Sequence, residues 1–264
     1  MGPGPAKLWP EVAPQWILDL PQWLEEFCFK IYKCFLYQDR YAMFIEGLGN
    51  TLLLTLQALL MGIILGVVVA LVRATWDKNN SEMHGPGKLV LRIANWLCNV
   101  YLTVIRGTPV MVQLLIMGFV IMVPKLGSYE ATVCAIITFG INSGAYVAEI
   151  VRSGIMSIDL GQMEAGRSLG LNYAQTMRYI IVPQAIKNIL PALGNELITL
   201  VKETSIVMVI SVQDLTQAAK VIVSKTYVAI VPYISLACIY LVIVIILEKL
   251  LGIFERRLRE SDRR

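Results

Sequence analysis

The chain has 264 residues, 56% hydrophobic and 16% charged, with a mean hydropathy of +0.64. Soluble domains carry about 25% charged residues, so this chain has too few polar groups to cover a water-facing surface. The balance excludes a soluble enzyme, a disordered chain and a disulfide scaffold. It leaves a polytopic membrane protein, in which the net charge of +4 matters less than where the charges fall.

Residues 1–14 are rich in Pro and Gly and are predicted to lack fixed structure; residues 15–43 mix Trp, Phe and Tyr with charges, as an amphipathic surface helix does. The start is not basic and Pro interrupts it, so no cleavable signal is expected. About 20 apolar helical residues cross a bilayer core. The uncharged runs 47–72, 107–124, 131–148 and 226–247 are four such spans. Residues 185–212 form a fifth, carrying Lys187, Glu196, Lys202 and Glu203 as interior-facing groups. The run 93–105 is bracketed by Arg92 and Arg106 and is too short to span. It reads as a helix at the interface or across the bundle, or as part of one bent helix with the next span. Thr108 as N-cap and Pro109 at the first helical position favour a fresh start there.

The expected fold is therefore an all-α integral membrane protein of about five transmembrane helices over residues 44–255. An N-terminal segment, 1–43, precedes them and a basic tail, 256–264, follows. With five spans, fifteen of the 23 lysines and arginines fall on one set of loops, which the positive-inside rule places in the cytoplasm. The N-terminus is then outside and the C-terminus inside.

Little here suggests catalysis. Cys28, Cys34, Cys98, Cys134 and Cys238 form no C-x-x-C pair, and His84 is the single histidine, so no metal ligand set is apparent. Gly166-Arg167-Ser168-Leu169-Gly170 matches G-x-S-x-G but lacks the preceding strand and a partner His. There is no phosphate loop. Gly62-x-x-x-Gly66 and Gly140-x-x-x-Gly144 read as helix-packing positions.

Residues 153–183 are too polar to span. They read as a short helix over 162–169, a turn at Gly170, and a second helix over 173–181 capped by Asn172 and stopped by Pro183. Met163, Leu169, Met177 and Tyr179 beside Arg167 and Arg178 suit docking of a cytoplasmic partner; the plain alternative is a helix pair folded onto the protein's own membrane face. Within the spans, Asn142, Tyr146 and Glu149 share one helix face, Glu196, Thr199 and Glu203 lie on another stripe, and Asn195, Thr199 and Lys202 on its neighbour. Two facing helices would offer carboxylates, amides, hydroxyls and an ammonium to a central cavity, which suits a zwitterion. Glu149 pairing with Arg152, or Glu196 stitching two subunits together, are the structural readings.

Glu164-Ala165-Gly166, three residues, Gly170, nine residues, then Ile180-Ile181-Val182-Pro183 resembles the E-A-A-x3-G-x9-I-x-L-P signature of ABC importer permeases, with Gly166 for Ala and Val182 for Leu. Arg106-Gly107-Thr108-Pro109 with Gln113, residues 145–152, and Gly194-Asn195-Glu196 followed by Lys202-Glu203-Thr204-Ser205 are similar to the polar amino acid subfamily. The likeness covers about residues 44–255. It implies a type I importer in a prokaryotic cell membrane: two permease subunits, identical or related, an ATPase dimer and an extracytoplasmic solute-binding protein. ATP and Mg would be held by the ATPase, with no cofactor on this chain. Glu164, Ala165, Gly166, Arg167, Gly170, Ile180 and Pro183 would couple to the ATPase, and the polar span residues would line the amino acid's path. A channel or sensor subunit docking a signalling partner, and a scaffold without transport, are the competing readings.

Overall fold

The computed structural model describes residues 4–79, 85–122 and 128–261, among which there are helices and no strand. The chain begins with α1 (Pro5–Val12), α2 (Gln15–Leu18) and α3 (Gln22–Ile31). Helix α1 falls where fixed structure was not expected. Pro5 occupies its first turn, and Trp9 packs on Phe29 and Tyr32 with centroids 5.4 and 5.3 Å away, its indole N–H donating to Glu25 at 3.3 Å. A tight segment, Tyr32–Leu36 and Tyr37–Asp39, then leads into the first long helix.

That helix, α4 (Tyr41–Asn79), is followed by α5 (Pro86–Gly107) and α6 (Val110–Ile116, extended by a π-turn over Met117–Ile121). Next come α7 (Ser128–Met156), α8 (Leu160–Ser168), α9 (Tyr173–Thr176, continued by a π-turn over Met177–Ile181), α10 (Val182–Glu203, tightening to 3₁₀ over Thr204–Ile210), α11 (Leu215–Thr226) and α12 (Ile230–Ser261). Helices α4, α5, α7 and α12 are long and apolar enough to cross a membrane. The helical run Tyr173–Ile210, bent 47° against α11, makes a fifth candidate.

The second span differs from expectation. The run 107–124 forms only the short helix Val110–Ile121, and its last two residues lie outside the described part, whereas the bracketed run 93–105 belongs to the 22-residue α5. Arg92 lies inside that helix and does not begin it, because a long basic side chain reaches polar surroundings from within; Arg106 sits in its last turn. The break falls at Thr108–Pro109, but Thr108 is not the cap: its hydroxyl donates back to Val104 O at 2.8 Å, and Pro109 is the residue before the first turn of α6.

A close seam between α4 and α7 organises the bundle. Gly62 faces Ser143, Gly66 faces Val147, and Gly140 faces Met61; a Cβ on these glycines would come within 2.9, 2.7 and 2.7 Å of those side chains. This ordered pairing runs the two helices in the same direction. Leu54, Ala58, Ala135 and Phe139 beside the seam join Leu114 of α6 and Leu200 and Val207 to form the main core. At the end where α4 begins, Cys34 and Phe44 pack with Leu215, Ala219 and Ile222 of α11 and Val231 of α12. Burial there pushes the Cys34 thiol up from its ordinary range.

Gly66→Ala is expected to force the seam apart and lower the melting temperature of the detergent-purified protein, a loss of about 1–3 kcal/mol. Gly49→Ala on the same helix meets nothing within 4 Å and should leave melting unchanged. A thiol reagent should modify half-exposed Cys28 well before buried Cys34.

Candidate functional site

Two regions carry the predicted residues. The first surrounds the polar face of α7. Asn142 is buried, and its amide donates to Gln113 Oε1 of α6 at 3.1 Å. Gln113 Nε2 in turn donates to Ile105 O at 2.8 Å, Thr108 O at 3.1 Å and Thr108 Oγ1 at 2.9 Å. The pair thus satisfies carbonyls that the α5–α6 break leaves without helical partners. One turn on, the Arg106 guanidinium lies 5.7 Å from the Tyr146 ring centroid. Glu149 then meets three arginines from three helices: Arg73 of α4 at 3.7 Å, Arg106 of α5 at 3.6 Å and Arg152 of α7 at 3.6 Å. Arg152 also reaches Asp77 at 3.7 Å. These separations are ion-pair contacts longer than a hydrogen bond, and they surround a cleft of about 610 Å³ lined by Arg73, Asn99, Arg106, Tyr146, Glu149 and Arg152. Cations outnumber carboxylates in it.

Helix α10 does not face this cleft. It packs on a different stripe of α7, Ile189 and Leu193 lying against Val147 and Val151, and Glu196 makes a polar bridge, accepting from Ser143 Oγ at 2.8 Å. Within the single chain the two polar stripes are thus turned apart except at the Ser143–Glu196 bridge. Asn142 and Ser143 are neighbours in sequence and point about 100° apart, so one serves α6 and the other α10. Asn195, Thr199 and Lys202 form an exposed stripe on α10. Asn195 donates to Pro191 O at 3.2 Å and Thr199 to Asn195 O at 3.0 Å. Lys202 borders a smaller cavity of about 270 Å³ with Ser205, Thr216, Tyr233 and Tyr240. Glu203, half-buried, ends α10.

The second region is the helix pair. Asp159 caps α8, accepting from Gly161 N at 2.7 Å. At the other end Gly170 N donates to Arg167 O and Leu171 N to Gly166 O, at 3.0 and 3.2 Å, with Gly170 at φ +83°. This is a Schellman stop, which needs the left-handed region that glycine enters freely. Asn172 and Gln175 close a reciprocal capping box on α9. Gly166 is the contact point of the pair: a Cβ there would lie 2.5 Å from Thr176 and 3.0 Å from Ile180. Pro183 does not stop the second helix. The π-turn over Met177–Ile181 widens the backbone just before it, and this wider turn accommodates Pro183, which has no N–H to give the preceding turn, as the helix continues into α10. Gln184 to Gln162 at 3.2 Å ties the pair to α10, and Asn188 to Ser157 at 2.8 Å ties the link before it. Its outer surface is left open: Leu160, Leu169 and Tyr179 are 81%, 79% and 64% exposed, with Glu164, Ala165, Arg167 and Arg178 also exposed.

Arg73, Asp77 and Ser143 were missed as site residues by sequence reasoning. Arg73 carried a signal, a lone cation closing an apolar run, but its partner lies on another helix.

A family model described as the binding-protein-dependent transport system inner membrane component matches residues 62–260. The chain is 37% identical over 220 residues to the arginine transport system permease protein of Bacillus subtilis strain 168, covering 83% of this chain and 93% of that protein. It is 34% identical over 223 residues to the glutamine transport system permease protein of Escherichia coli K12, covering 82% and 93%. Among solved structures, a chain from the crystal structure of an amino acid ABC transporter with histidines aligns at TM-score 0.73 and 44% identity, covering 84% of this chain and 98% of that one. An inward-facing methionine ABC transporter aligns at TM-score 0.64 and 20% identity, a likeness of fold, covering 83% and 97%.

Gly170→Ala should raise amide hydrogen exchange across residues 160–181, because the left-handed stop costs an alanine about 1 kcal/mol. Glu164→Ala, at an exposed position, should leave that exchange unaltered.

Proposed function

The chain belongs to the family of binding-protein-dependent transport system inner membrane components, and from that membership we propose that it carries a polar amino acid inward across the cell membrane by alternating access, driven by a separate ATPase. The observation that carries this reading is the helix pair α8–α9. It is capped at each end, held to α10 by Gln184–Gln162 and, just before it, by Asn188–Ser157, and yet leaves Leu160, Leu169 and Tyr179 largely exposed, the last with only the Arg178 guanidinium over its ring. A rigid element with an unpartnered apolar surface and flanking arginines is what a docking protein would grip. The sequence contains no phosphate loop, so hydrolysis is assigned to that partner.

In this reading the pair, with Glu164, Ala165, Gly166, Arg167, Gly170, Ile180 and Pro183, faces the cytoplasm. The N-terminus is then outside, in agreement with the lysine and arginine distribution. A second permease subunit and an extracytoplasmic binding protein complete the assembly. The exposed stripe Asn195, Thr199 and Lys202 is costly against lipid, and so turns to the second subunit or to the aqueous path. The cleft around Glu149 offers an amino acid both signs at once: guanidiniums for its carboxylate and Glu149 for its ammonium. The arginine surplus makes the carboxylate the stronger anchor. The relatives named for arginine and glutamine transport support the substrate class.

The test is ATP hydrolysis by the complex purified through this chain and reconstituted in vesicles with its binding protein. An amino acid loaded on the binding protein should stimulate hydrolysis. Glu164→Ala should abolish the stimulation with the helix pair still folded, and its retention would remove the coupling role. Arg106→Met should weaken amino acid binding to the membrane complex by about tenfold, the value of one charge-assisted contact. An amino acid methyl ester, lacking the carboxylate, should bind the wild-type complex no better than the free acid binds Arg106→Met.

A further inference from the structure

The family model begins at residue 62, and the arginine-transport relative leaves about a sixth of the chain unmatched, so the first forty residues need their own account. From residue 4 onward they are firmly built. Lys33 Nζ donates to Thr226 O at 2.8 Å, at the carbonyl end of α11, where a cation is favoured. Buried Arg40 donates to Lys33 O at 2.7 Å and lies over the Tyr37 ring at 5.1 Å. Phe35 stacks on Phe44 of α4 at 5.5 Å. Trp9, Phe29 and Tyr32 fill the interior.

Against this order, Trp16, Trp23, Phe27 and Ile31 remain 66%, 69%, 47% and 37% exposed. Trp23, Phe27 and Ile31 follow one another at intervals of four on α3, so they form one stripe. Glu26 and Lys30 flank it on one side, and Phe29 and Glu25 on the opposite side face the interior and Trp9. The stripe does not end with α3. Along the chain, Leu36, Tyr41 and Ile45 are also exposed and lead into exposed Leu52, Leu53 and Leu56 of α4, the first helix long and apolar enough to cross a membrane.

We infer that residues 14–36 form an interfacial anchor, with Trp16, Trp23, Phe27 and Ile31 inserted into the headgroup–acyl boundary of the bilayer beside the start of α4. Continuity with the lipid-facing surface selects lipid as the occupant. The residue types agree: tryptophan prefers this depth, where its ring is apolar and its N–H stays wet. Glu25 and Glu26 offset Lys30 and Lys33, so apolar insertion holds the anchor and anionic lipid is not required.

The experiment uses the full-length chain in vesicles of phosphatidylcholine carrying bromines either high on the acyl chain or near its end. The readout is the tryptophan emission that disappears in the double variant W16F/W23F, whose two positions are exposed and whose replacement leaves the interior untouched. That component should be quenched about twofold by the shallow bromines, less by the deep ones, and equally with or without anionic lipid. No quenching by either lipid, with free quenching by a water-soluble agent, would place the stripe in water and overturn the inference. Shielding from both that appears only when a soluble protein partner is added would assign the stripe to that protein and overturn it as well. Quenching only in anionic vesicles would replace the apolar anchor by an electrostatic one.

Discussion

In hydrocarbon, a leucine buried against a neighbouring helix gains little over a leucine left facing lipid, so greasiness alone cannot hold a bundle together. What holds this one is close approach. Gly62 against Ser143, Gly66 against Val147 and Gly140 against Met61 let the α4 and α7 backbones come near enough for dispersion contacts along several turns. Gly144 extends the same logic to α5: Tyr101 Oη occupies the space a Cβ would take and donates to Ile141 O at 2.6 Å. Fixing α4 beside α7 in one register leaves α7 three other faces, and each is taken by a different element.

Those faces explain how the polar groups are distributed. A charge inside the bundle needs a partner, and α7 supplies one for each neighbour: Asn142 for α6, Ser143 for α10, Glu149 for α4 and α5. Glu149 therefore has two duties in one place. It gathers arginines from three helices, and it lines the cleft they surround. Under the proposed transport role, a ligand carrying both charges replaces part of this ion-pair set without leaving a guanidinium or carboxylate bare.

Much of this was legible in the sequence, and the rest was hidden for identifiable reasons. Helices α4, α7 and α12 announced themselves as charge-free runs, and the helix pair through Asn172 and Gly170, whose cap and stop chemistry is local. Helix α5 was judged too short because Arg92 looked like its start, whereas it begins at Pro86; Arg106 does lie in its last turn, paired with Glu149 more than forty residues away. The facing of α7 and α10 was misjudged because periodicity assigns residues to a stripe without naming the neighbour that covers it. Gly166 looked like a small departure from a family pattern. It turns out to be matched to its surroundings, since Thr176 and Ile180 occupy the space of the absent methyl.

The behaviour of Pro183 bears most on mechanism. Had it ended the second short helix, the pair would hang on a joint, and motion there would be lost before reaching the bundle. Instead the backbone is helical without interruption from Tyr173 through a π-turn into α10 and on to Ile210. A push on Leu169 or Tyr179 is thus delivered to a continuous rod that passes Glu196 and Lys202. The π-turn takes up the irregularity beside the helix pair, where a widened turn clears the proline ring and the rod remains unbroken. At the other end the rod stops against α11 in a 47° bend, with Ser211 in the left-handed region. Under the proposed docking role, a rigid input arm, a polar middle and a bent far end give ATP-driven movement of a partner a direct path to the polar residues of the span.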